Sequence, residues 1–205
     1  MQPRAVLFDM DGVLVKSFEM WFRAVELAGV RFRGRPITRA EFAPTFGQGT
    51  AADVSAFGLR CTPAELDRFY EAEFLEHRDA LWVNPEAGPL LELLAARGVQ
   101  RALVTNTVAP IVRELLPLTG FGHLLTSLAT ADRVAHAKPA PDLVLLACAD
   151  LGVRPAEAWM VGDSRFDRQA AQTAGVRFVG LELDGDARIE QLSQLPSLLW
   201  PKGSP

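Results

Sequence analysis

Two aspartates, Asp9 and Asp11, stand one residue apart directly after an apolar run, Ala5–Phe8, with Gly12 next. Carboxylates that close repel one another, and a strand gains nothing by ending in them. Thr105 and Asn106 close a second apolar run, and Gly162, Asp163 and Ser164 close a later one, with Asp167 just beyond. Lys138 sits in "AHAKPAPD", ahead of a helical pattern. Clustered carboxylate oxygens suit Mg²⁺, which keeps waters and is completed by substrate phosphate. A hydroxyl, a backbone amide and a lysine opposite the metal would neutralise the other oxygens of a phosphoryl group. One acid near the metal can then be a nucleophile and its neighbour an acid/base. Each piece alone has a plainer reading. Asp-x-Asp is most often a turn, Gly-Asp-Ser a loop, Thr105 a strand residue and Lys138 an exposed lysine. The chemistry needs a fold that brings all of them to one place.

The apolar runs suggest such a fold. Ala5–Phe8, Arg101–Thr105, Leu124–Leu128, Trp159–Val161 and Arg177–Leu181 lack alternation, as strands buried on both faces do. Between them lie helical patterns with glycine stops: Pro89–Arg97 before Gly98, Pro141–Leu151 before Gly152, and Phe166–Ala174 before Gly175. Strand and helix in alternation predict an α/β chain, a Rossmann-like open parallel sheet with helices on both faces. Ligands of such a sheet bind beyond the carboxyl ends of its strands, where the chemical residues fall. Residues 16–80 break the rhythm. A helix from Ser17 to about Ala28, another over Thr50–Phe57 and a third over Thr62–Arg78, opening "TPAEL", predict a small all-helical cap inserted after the first strand. The catalytic core then comprises residues 1–15 and 81–205, with chain crossings near Lys16 and Leu81–Pro85.

With these residues in view, "DMDGVL", "VTNT", "KPAPD" and "GDSRFDRQAAQTAG" resemble the four motifs of the haloacid dehalogenase-like superfamily. The likeness is to its helical-cap phosphatase branch, which includes phosphoglycolate phosphatases and β-phosphoglucomutases. It covers almost the whole chain and is poor in the cap. The resemblance implies a Mg²⁺-dependent phosphatase acting on a small phosphomonoester through a phosphoaspartate. Asp9 would be the nucleophile and Asp11 the acid/base. The metal would be held by Asp9, the Asp11 carbonyl, Asp163 and Asp167, the last directly or through water. Thr105, the Asn106 N–H and Lys138 would hold the phosphoryl group, Lys138 also orienting the nucleophile. Asp11 favours phosphate-ester chemistry, because an alkoxide leaving group benefits from a proton and a halide does not. A sugar phosphomutase with the same phosphoaspartate, or a non-catalytic scaffold, are the alternatives. A signalling receiver domain shares the acid pocket, Thr and Lys but lacks a helical insertion.

Other residues bear on specificity. Lys16 stands where relatives usually have Asp, at the hinge, and is either a charge change on a connector or a reach toward a substrate anion. Arg31, Arg33 and Arg35 alternate in "VRFRGRP" and read as a solvated face, with an acidic leaving group as the minor alternative. "TFGQG", residues 45–49, makes Gln48 a candidate substrate contact. The three histidines show no ligand spacing, and only His136 is near a motif residue.

The 205-residue chain is 49% hydrophobic, enough for one sizeable core and a small second domain, and carries a net charge of −4. That charge does not suit a general nucleic-acid binder. No apolar stretch reaches membrane-spanning length, and the start leads into a strand, not a long apolar leader. Cys61 and Cys148 are far apart and fit a reducing compartment. A cytoplasmic protein, monomeric or weakly dimeric, with a small phosphorylated metabolite as its partner, is expected.

Overall fold

The computed structural model describes residues 2–201. The tail "PKGSP", read as loose, falls outside them from Lys202 onward.

Six parallel strands form one sheet: β1 (Ala5–Phe8), β4 (Gln100–Thr105), β5 (Ser127–Thr130), β6 (Ala158–Gly162), β7 (Arg177–Leu181) and β8 (Ala187–Ile189). Their order is β5-β4-β1-β6-β7-β8. The chain builds outward from β1 on one side, then crosses back and builds outward on the other. That reversal opens a crevice at the carboxyl end of β1. Every residue of β1 is buried, with Val6 and Phe8 facing one core layer and Ala5 and Leu7 the other. The first layer is closed by α5 (Ala87–Ala96), α6 (Ala109–Thr119) and α9 (Leu195–Leu199). The second is closed by α7 (Asp142–Asp150) and α8 (Arg165–Ala174).

The remaining helices come early: α1 (Phe18–Arg33), α2 (Arg39–Phe42), α3 (Thr50–Phe57) and α4 (Pro63–Glu73), followed by a 3₁₀ stretch, Phe74–Ala80. Thr62 and Glu65 cap the start of α4 reciprocally, as the sequence predicts, and Thr38 and Glu41 do the same for α2. Two two-residue strands, β2 (Val15–Lys16) and β3 (Trp82–Val83), pair antiparallel where the chain enters and leaves this helical segment.

Several boundaries depart from the sequence reading. Helix α1 does not stop near Ala28 but runs to Arg33, ending at left-handed Gly34. Gly29, the residue after Ala28, sits inside it, where a side chain would strike Ile37. The third strand is Ser127–Thr130, not Leu124–Leu128. Gly122–Leu124 is a 3₁₀ turn whose Leu124 carbonyl is taken by Arg101. The last turn of the predicted Thr62–Arg78 helix is 3₁₀ instead, kinked at His77. Strands β2, β3 and β8 were too short or polar to read from pattern.

Candidate active site

Asp9 leaves the end of β1, with its N–H on the Val161 carbonyl (3.0 Å), so β6 fixes where it emerges. Its Oδ1 accepts from the Met10 N–H (2.7 Å) and from Lys138 Nζ (2.7 Å). Lys138 also donates to Asp167 Oδ1 (2.7 Å) and to the Val104 carbonyl (2.9 Å). An ammonium has three protons, and these three bonds use all of them. Lys138 therefore holds the rotation of Asp9, and a direct bond to a phosphoryl oxygen would require it to release one partner. Asp167 is fully buried; its other oxygen accepts from the Ser164 N–H (3.1 Å) and Oγ (2.5 Å), closing the capping box of α8.

Oxygens of Asp9, Asp163 and Asp167 lie within 4.8 Å of one another. One lysine against three carboxylates leaves negative charge uncompensated. Burial, then Asp167, push the Asp9 carboxyl well up, against the pull of Lys138. The same two causes push Asp163 up to about 7. Burial alone would lower Lys138, yet Asp167 and Asp9 hold it above the usual lysine range. An all-oxygen, electron-rich trio of this kind fits Mg²⁺. Gly12 makes the trio possible: its φ is +89°, and a Cβ there would lie 1.8 Å from Asp163 Oδ2.

The carboxylate of Asp11 turns to a different set of neighbours. It accepts from Ser17 Oγ, from Trp21 Nε1 (3.2 Å) and from Thr107 Oγ1 (3.3 Å). Burial raises its pKa and these donors oppose the rise. Ser17 is thus not the side-chain cap of α1 that its position suggests; its hydroxyl is spent on Asp11. Thr105, fully buried, accepts from the Thr107 N–H (3.1 Å). The Asn106 side chain donates to Lys138 O (2.8 Å) and to Gly47 O (3.0 Å), tying the lysine loop to the helical segment.

Asp9, Asp11, Thr105, Asn106, Thr107 and Lys138 face one cavity whose other walls come from the helical segment, Gln48 among them. Gln48 Nε2 donates to Asp53 Oδ1 (2.8 Å), and Tyr70 Oη donates to Asp53 Oδ2 (3.1 Å). Lys16 lies outside that cavity. It lines an outer groove with Glu86, Glu182 and Asp163, its ammonium 4.8 Å over the Trp82 ring. Arg33 and Arg35 are bonded to Glu41, and Arg31 stacks on Phe32. His136 pairs with Asp142 at the surface. The sequence reading missed Trp21, Thr107, Asp53 and Tyr70. Trp21 was legible in principle, four residues after Ser17 and so on the same helix face. Asp53 was a lone acid in a helical pattern, and only the tertiary fold shows what it faces.

The family model of haloacid dehalogenase-like hydrolases matches residues 6–181. A phosphoglycolate phosphatase of Pectobacterium atrosepticum is 33% identical over 188 residues, covering 87% of this chain and 80% of that protein. The pyrophosphatase PpaX of Bacillus velezensis is 31% identical over 179 residues, covering 86% of this chain and 82% of that protein. Among solved structures, CbbY of Rhodobacter sphaeroides superposes with a TM-score of 0.82 at 23% identity, over 94% of this chain and 96% of that one. At that identity the superposition speaks for the fold.

Proposed function

Because this chain belongs to the haloacid dehalogenase-like hydrolases, we propose that it hydrolyses a small phosphomonoester in two displacements at phosphorus. The observation that carries the reading is the different setting of the two acids of one strand end. Asp9 is fixed by an ammonium, and Asp11 by two hydroxyls and an indole, on the same cavity. A carboxylate held rigidly by a cation suits attack; one among rotatable hydroxyls suits gaining and losing a proton.

In the first step an Asp9 oxygen bonds to phosphorus while the bond to the ester oxygen breaks. Protonated Asp11 gives its proton to the departing alkoxide. In the second, Asp11 takes a proton from water, whose oxygen attacks the phosphoaspartate. The phosphorus–Asp9 bond breaks and inorganic phosphate leaves with Asp9 regenerated. Lys138 holds Asp9 in place and offsets the charge of Asp167. Thr105 and the Asn106 backbone N–H would take the phosphoryl oxygens. Asp9, Asp163 and Asp167, with the Asp11 carbonyl, would hold Mg²⁺, which when bound neutralises phosphoryl charge.

The test is phosphate release from an aryl phosphate and a metabolite panel with Mg²⁺, beside Asp9→Asn. Release by the native chain and its loss in the variant are expected. Comparable turnover without the Asp9 carboxylate would remove the nucleophile assignment.

A further inference from the structure

Among the described residues, Lys138 is the one cationic side chain lining the active cavity, and its three protons are committed within the core. The arginines of the helical segment that could have reached in are engaged elsewhere. Arg33 and Arg35 bond Glu41, Arg39 bonds Glu19 and Arg23 bonds Asp79. What the helical segment does present is Asp53, 7% exposed, with one donor on each oxygen. One Gln48 amide proton and the Tyr70 hydroxyl are used on Asp53, as the Trp21 indole is used on Asp11 and the Thr45 hydroxyl on Phe42 O. No cation is left on this side among the described residues: besides the second Gln48 amide proton, the side-chain polar capacity left is the spare lone pairs of the Asp53 carboxylate and the Gln48 carbonyl oxygen. Val25, Phe42 and Phe46 supply apolar wall around them.

We infer that this half of the cavity takes the alcohol portion of a phosphomonoester that is uncharged or cationic there and offers a hydroxyl or ammonium donor to Asp53. A carboxylate or a second phosphate at that place would meet a buried acid with no cation to compensate it, a costly arrangement. The inference rests on the phosphatase reading and narrows its substrate. It sets this chain apart from relatives named for phosphoglycolate, whose alcohol portion carries a carboxylate.

Three esters that share a two-carbon skeleton and differ only at the far end decide it: 2-aminoethyl phosphate, 2-hydroxyethyl phosphate and phosphoglycolate. With Mg²⁺, kcat/KM for the amine or the alcohol is expected to exceed that for the acid at least tenfold. The two donor arms separate an ammonium ligand from a hydroxyl one. In Asp53→Asn the ratio should fall toward one. A merely structural loss would lower all three alike and leave the ratio in place, which would overturn the role of Asp53. Equal or greater use of phosphoglycolate by the native chain would overturn the inference even if the variant does not fold. Calorimetric binding of the three esters to Asp9→Asn reads the same preference without turnover. No preference there would sink the inference alone. The preference in binding without phosphate release from any ester by the native chain would uphold the cavity's selectivity and sink the phosphatase reading.

Discussion

Lys138 is buried and gives two of its protons to carboxylates and one to a backbone oxygen. Removing one partner of a buried ion pair leaves uncompensated charge and costs about 3–5 kcal/mol. Lys138→Met should therefore unfold at markedly lower denaturant, as well as losing phosphate release. Adding Asp167→Asn should restore part of the stability and none of the activity, which a double-mutant cycle with a parallel assay would read. Asp53 makes a second prediction at this scale. Its carboxyl stands at about 7 in the fold, against an ordinary 3.8, through burial first; Gln48 and Tyr70 pull it down and Asp67 pushes it up. The folded state holds that proton more tightly, so the stability this group adds is full below pH 4 and is lost as pH rises to 7. The loss is at most about 4 kcal/mol. Asp53→Asn should flatten the fall in melting temperature between pH 5 and 7.5; an unchanged slope would show that the acid does not titrate there.

Elements carry these residues to their places, and some do so with little slack. Gly12 combines a φ of +89° with a side-chain position filled by Asp163. Gly12→Ala should cost about 1–3 kcal/mol in backbone strain alone and sharply reduce phosphate release, seen by melting and assay together. On α1, Trp21 packs its ring on Tyr70 and Phe74 and lends its N–H to Asp11. Trp21→Phe keeps an aromatic there and removes the donor. A fall in kcat of roughly tenfold with little loss of stability is expected, consistent with one hydrogen bond to a charged group. The strands β1, β4, β6 and β7 were legible because both faces are buried and their apolar runs uninterrupted. The cap of α4 and the glycine stop of α8 were legible because capping is local chemistry. The end of α1 was not, since Gly29 is kept for a tertiary approach to Ile37 that no window of sequence contains. Nor was β8, a polar edge strand identified by its ladder with β7 alone. Asp9, Asp11, Asp163 and Asp167 were readable from their places after apolar runs; Asp53 with its partner Tyr70, and Thr107, 96 residues from Asp11, were not.

At the scale of the whole molecule, an open sheet and a helical segment share one cavity, and the acidic trio sits at the core side of it. A cation bound there at about a hundred times its Kd would stabilise the fold by about 2.7 kcal/mol. For a chain of this size that corresponds to a rise of roughly 5–10 °C. Saturating Mg²⁺ should produce it, EDTA should reverse it, and Asp163→Asn should abolish it in a thermal-shift titration. The narrow ribbon of β2 and β3 has a different kind of consequence. It lays the outgoing and returning chain side by side, Val15 against Val83 and Lys16 against Trp82, so everything from Ser17 to Leu81 departs from and returns to a single doorway. A segment whose ends meet leaves the register of the six-strand sheet untouched. Any other fold with adjacent termini could be spliced through the same doorway without re-registering a core strand. In evolutionary terms, the insertion can change while the strand order stays, provided that Ser17 and Trp21 still reach Asp11.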